Sequence, residues 1–83
     1  MLRWEKVSAT RVVCTLGDLK VCAIERVPNS NTWCTHVHIY RDMSTWKSLS
    51  ATTLEDAQRE AIDIVKQICS DQIAMYQSIL QVC

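Results

Sequence analysis

With one glycine and one proline in 83 residues, the chain cannot build a glycine-rich phosphate loop, a collagen-like repeat or a flexible linker, since each needs several residues of those types. Excess charge of either sign is missing too. Nine basic residues balance nine acidic ones, which argues against a general nucleic-acid coat or a polybasic membrane anchor. No window approaches a membrane span, and the first residues, Met1-Leu2-Arg3-Trp4-Glu5-Lys6, hold no apolar stretch of signal-peptide length. Five cysteines are many for this length, yet the number is odd and no C-x-x-C pair occurs, unlike a secreted disulfide scaffold. These absences predict one small cytoplasmic domain spanning residues 1–83, with reduced thiols that serve mostly as small buried hydrophobes.

From Arg11 to Tyr40 the chain is dense in Val, Ile, Thr, Cys, Trp and Tyr, broken by Gly17-Asp18 and by Pro28-Asn29-Ser30-Asn31. Runs of that composition between turn residues predict strands, at about Val7–Leu16, Leu19–Val27 and Trp33–Arg41, with a weaker fourth at about Trp46–Leu49. Gly17 can supply the positive φ of a two-residue II′ turn. That turn would set Leu16 opposite Leu19, Cys14 opposite Val21 and Val12 opposite Ala23, on one apolar face. The next hairpin is harder, because a one-residue change in loop length inverts the third strand. A five-residue loop, Pro28 to Thr32, puts Trp33, Thr35, Val37 and Ile39 on the core side and leaves Cys34, His36, His38 and Tyr40 outside, beside Lys20, Cys22, Ile24 and Arg26. A four-residue loop would bury both histidines, which is costly without partners, so the five-residue register is preferred.

The helix is the clearest element. Thr52 stands three residues before Glu55 as a capping box, Asp56 adds negative charge to the first turn, and neither Gly nor Pro follows. Leu54, Ala57, Ala61, Ile64, Ile68, Met75 and Ile79 recur at helical spacing, and Ile62, Val65, Cys69, Ile73, Tyr76 and Leu80 form a second stripe beside them. The fold expected is therefore α+β: an antiparallel three- to four-stranded β-meander followed by one long C-terminal α-helix packed on one sheet face, βββ(β)α. A helix from Leu54 to Leu80 would run about 40 Å against about 30 Å for a nine-residue strand, so its last turns should overhang the sheet. Either it breaks near Ser70-Asp71 and folds back, or a second subunit covers it. The second is preferred, with Ile73, Tyr76, Ile79 and Leu80 as a homodimer interface.

Charge is segregated along the chain: seven basic against four acidic residues up to Thr53, two against five from Leu54 onward. A mildly basic sheet thus precedes a mildly acidic helix. Arg11, Lys20, Ile24, Arg26, His36, His38, Tyr40 and Trp46 are the candidate partner-binding residues of the outer sheet face. Their mixture of basic, aromatic and apolar groups suits a protein interface. The alternative is a small nucleic-acid-binding module using the same basic face, with aromatics stacking on single-stranded bases. Cys34, His36 and His38, with Cys22 opposite His38, could offer ligands to zinc. Structural zinc ligands normally come from tight loops, however, so neither a metal nor another cofactor is expected. Nor is a catalytic residue: a Cys34–His36 nucleophile would have no orienting third group and no oxyanion loop.

An early Trp4, a Gly17-Asp18 hairpin, a third strand led by Trp33 and a helix opening Thr53-Leu54-Glu55-Asp56-Ala57 together resemble small phage and prophage accessory proteins with a strand-meander-then-helix layout. The resemblance implies a non-enzymatic viral protein, of the anti-CRISPR or anti-defence type, that works in the host cytoplasm. Such a protein would bind and modulate, most often inhibit, a larger host or phage protein, here as a homodimer and without contact with a membrane. The double-stranded-RNA-binding domain also places three strands before a helix, but Glu55 and Asp56 stand where it would need lysines.

Overall fold

A computed structural model describes residues 1–39 and 46–83. Five antiparallel strands, β1 (Leu2–Lys6), β2 (Arg11–Leu16), β3 (Leu19–Arg26), β4 (Trp33–Val37) and β5 (Lys47–Ser48), lie in one sheet in sequence order, followed by the helix α1 (Leu54–Val82). This is the expected meander and helix with one strand more. The extra strand is β1: the segment read as one run from Val7 begins instead with a turn, in which Val7 and Ser8 donate to the Arg11 carbonyl and the Ser8 hydroxyl accepts from the Thr10 and Arg11 amides. The Ser8-Ala9-Thr10 stretch offers those local hydrogen bonds without glycine or proline to announce it.

Gly17 has φ +59° and spaces Leu16 opposite Leu19, as the II′ turn requires. The register then shifts. Thr15 pairs with Lys20 but Cys14 pairs with Cys22, so Val21 is an extra residue in β3. Beyond this bulge Val12 faces Ile24, not Ala23, and the core face of β3 carries Cys22 and Ile24, with Val21 turned to the same side at the bulge. At the next hairpin Val27 donates to the Thr32 carbonyl and Arg26 pairs with Trp33, which leaves the four-residue connection Pro28–Asn31 with Asn29 at φ 59°. Both registers thus differ by one residue from expectation, and the two slips cancel. Trp33, Thr35 and Val37 are buried in the core, and the histidines stay outside.

The core lies between this face and α1. Cys14, Cys22, Ile24 and Val37, each 0% exposed, meet Ala57, Ala61 and Val65 of the helix, with Trp4, Val12, Ile39, Ile64 and Ile68 at the margin. Alanine at two successive turns lets the helix approach β3 and β4, the strands it touches. Thr35, the buried polar residue of this face, donates its hydroxyl to the Ala23 carbonyl at 2.8 Å. Burial pushes the Cys22 thiol up to about 12, with adjacent Cys14 adding to the shift, so both core thiols stay protonated and unreactive. Two of the five cysteines are fully buried; Cys34 is half-buried and Cys69 and Cys83 are exposed, fewer buried than expected.

Thr53, not Thr52, caps the helix: its hydroxyl accepts from the Asp56 amide at 3.2 Å, one residue later than the capping-box spacing suggested. Glu60 anchors the incoming loop. Its carboxylate accepts from the Ser50 amide (2.9 and 3.0 Å), the Ser50 hydroxyl (2.8 Å) and the Ala51 amide (3.0 Å), a role that its place on a charged helix face does not reveal. The Ser50 backbone bond leads in holding its carboxyl below the ordinary 4.5. Glu60→Ala should therefore lower unfolding free energy by about 1 kcal/mol at pH 7, read from urea denaturation. A depressed folded-state pKa stabilises fully above the unfolded value and loses its effect as pH falls through the folded one. The gap between variant and parent should accordingly close below about pH 4.5.

Candidate interaction surfaces

Among the described residues, two surfaces remain uncovered by the fold's own packing. The first is the outer face of the sheet. Arg11 and Val13 of β2 stand beside Glu25 and Ala23 of β3, which pair with Cys34 and His36 of β4. The Arg11 guanidinium reaches the Glu25 carboxylate at 3.2 Å and lies 5.0 Å from the centroid of the Trp46 ring, a cation–π arrangement. Trp46 also leans on His36 at 5.6 Å between centroids, and His36 meets His38 edge-on at 4.7 Å. Ala23, on this face and outside the core cluster, is only 2% exposed. A cavity of about 320 Å³ opens there, lined among others by Arg11, Val13, Lys20, Ala23, His38 and Trp46.

Of the candidate residues on this face, the fold brings Arg11, Lys20, His36, His38 and Trp46 together, and it removes two. Ile24 is 0% exposed in the core, because the Val21 bulge turned it inward. Arg26 pairs with Trp33 on the core-facing side and donates to the Ser30 carbonyl at 3.3 Å, tying down the β3–β4 loop. Tyr40 lies outside the described residues. The same bulge buries Cys22 opposite Val37, away from His38, so the imagined four-ligand zinc set is not assembled. Among the described residues no group of three or more His, Cys, Asp and Glu is placed to hold a metal ion. Sequence reasoning missed Glu5 and Glu25, which face outward and offset the basic residues. Glu25 would have been found from the true register, which sets it across from Arg11.

Burial pushes the Cys34 thiol up, and the neighbouring Glu25 carboxylate adds to this, so it is a poor nucleophile at neutral pH. Its Sγ donates to the Glu25 carbonyl at 3.5 Å. His36 Nδ1 is buried without a hydrogen-bond partner among the described residues, as is Trp33 Nε1.

The second surface is the far end of α1. The helix runs unbroken through Ser70-Asp71 to Val82, about 43 Å for its 29 residues, along a molecule whose longest extent is 52 Å. Ile68 is the last helical residue packed on the core. Beyond it Ile73, Tyr76, Ile79 and Leu80 are 55%, 56%, 49% and 75% exposed, and Met75 and Val82 are exposed with them. The four residues expected at an interface thus share one projecting segment, and Met75 and Val82 join it. No helix among the described residues is long and apolar enough to cross a membrane.

No protein-family model, curated protein or solved structure gives a significant match to this chain.

Partial burial, together with the charges of His36, Lys20 and Arg11, lowers the pKa of His38 from its ordinary 6.5. Ring-proton NMR should therefore show His38 titrating below 6.5 and neutral at pH 7; a midpoint above that value would contradict the arrangement. Because the unfolded chain then binds the proton more readily, this residue's contribution to stability is full above pH 6.5 and declines as the pH falls.

Proposed function

We propose that this protein is a non-enzymatic protein-binding module that works as a homodimer, self-associating through the projecting end of α1 and presenting the outer sheet face to a larger partner. One observation carries the reading: an uninterrupted helix leaves its own sheet after Ile68 and takes Ile73, Tyr76, Ile79 and Leu80 into solvent. Apolar surface gathered on so small a domain is a contact site more often than an accident.

The outer face supports a protein partner over a nucleic acid. Arg11 is already engaged by Glu25, and on the described strands of this face Arg3, Arg11 and Lys20 stand against Glu5 and Glu25, so the net positive charge left to attract phosphates is small. A cluster of Arg11, Trp46 and His36 beside exposed Lys20 and His38 has the aromatic and basic character of an interface core. The resemblance to small phage accessory proteins extends the reading to a role: binding and inhibiting a host or phage protein. Free, unbonded Cys14 and Cys22 facing each other across β2 and β3 suit work in a reducing cytoplasm.

Light scattering at micromolar concentration should report twice the chain mass, and Ile79→Asp combined with Leu80→Asp should yield a folded monomer with unchanged circular dichroism. A monomeric parent protein would discard the reading. Affinity capture from the producing cell, repeated with Arg11→Glu and Trp46→Ala, should lose the captured protein in both variants.

A further inference from the structure

The face of α1 that the sheet covers and the face that projects bare are the same face. Ala57, Ala61, Val65 and Ile68 pack on the core, and steps of three or four residues continue that line through Gln72, Met75 and Ile79 to Cys83. Ile73, Tyr76 and Leu80 run along its flank. A second copy laid on this line in parallel would bring its own sheet, and the first copy's sheet, into the gap between the two helices. Turned end for end, the partner meets only the bare segment. Its sheet then sits past the end of the first helix, on the side the projecting face already points to.

We infer that two copies pair antiparallel through residues 69–83, about a two-fold axis near Tyr76, so that Cys69 of each helix lies beside Cys83 of the other. This rests on the dimer proposed above and adds its geometry. The size fits. Fully covered, Ile73, Met75, Tyr76, Ile79, Leu80 and Val82, between 47% and 86% exposed, would bury at most roughly 700 Å² per protomer, just under the ~800 Å² each partner gives to a standard interface. So does the charge: Asp71 is the single charged residue from Cys69 to Cys83, so like faces meet without repulsion and a strongly charged partner finds no complement. Each helix end would also come against the margin of the other protomer's core near Ile68, giving that edge a cover it lacks in one chain.

Cys69 and Cys83 report the arrangement, because both are free and exposed. They stand 14 residues apart, about 21 Å along the helix, whereas a disulfide needs Cα atoms within about 7 Å. In a Cys34→Ser background, oxidised glutathione serves as the oxidant. One thiolate displaces a glutathione from it to form a mixed disulfide, the partner's thiolate displaces the second, and the two electrons and two protons leave on two glutathione thiols. Cys14 and Cys22 are sealed in the core and do not compete.

With both cysteines present, covalent dimer should form on a non-reducing gel. With Cys69→Ser or Cys83→Ser alone it should form at least tenfold more slowly, and an equimolar mixture of the two variants should restore it. Rapid cross-linking of the Cys83→Ser variant by itself would mean Cys69 faces Cys69 and would overturn the antiparallel pairing. Slow cross-linking in every sample, from a protein that sediments as a dimer in reducing buffer, would overturn it too while leaving the dimer standing. A monomer in reducing buffer would remove both.

Discussion

The extra residue at Val21 fixes which side of the sheet the rest of β3 occupies, and together with the four-residue loop before Trp33 it sets the sides of β4. By setting two residues of β3 against Cys14, the bulge turns Cys22 and Ile24 toward α1 and Ala23 and Glu25 away from it. The four-residue loop before Trp33 shifts the next register by one as well, so β4 keeps Trp33, Thr35 and Val37 on the core side. Thr35 therefore meets the core, where its hydroxyl can reach the Ala23 carbonyl, and His36 meets solvent and Trp46. Without the bulge, Arg11 would not stand across from Glu25, and the outer cluster would lose its central ion pair. A one-residue slip in a sheet is never local, because side chains alternate with a period of two.

Length supplies the second constraint. Strand β3, the longest among the described residues, has eight residues and covers about 26 Å, whereas the helix that covers it runs about 43 Å. Nothing in the chain stops the helix where the sheet stops: the capping hydroxyl of Thr53 starts it, and from there to Val82 no glycine or proline interrupts. The mismatch divides α1 into a segment held by its own core and a segment whose apolar face continues into water. The first segment also carries Glu60, which clamps Ser50 and Ala51 and so fixes where the chain enters the helix. The fold thus leaves the projecting tip and the outer sheet face as separate surfaces, which the proposed function gives to self-association and to partner binding respectively.

Much of this was readable from residue types and spacing. The Gly17 turn, the helix and its overhang, the burial of Trp33 and the exposure of Ile73, Tyr76, Ile79 and Leu80 each follow from a local rule: positive φ at glycine, periodicity near 3.6, and rise per residue. The strand β1 was hidden because Ser8-Ala9-Thr10 turns through side-chain hydrogen bonds rather than through glycine or proline. Ile24 and Arg26 lie on the face opposite to the one their spacing predicts, for a different reason. A bulge leaves no mark on composition, and the compensating loop before Trp33 differs from its neighbour by a single residue.

The sequence by itself determined the order of elements, the strand and helix character of each segment, and the presence of a helix too long for its sheet, since those depend on neighbours along the chain. Only the tertiary structure decided the register, and with it which cysteines are sealed, which charges pair and which histidine touches Trp46. Those outcomes are set by how strands fit against one another and against the helix, where shifting one residue exchanges every inward side chain for an outward one.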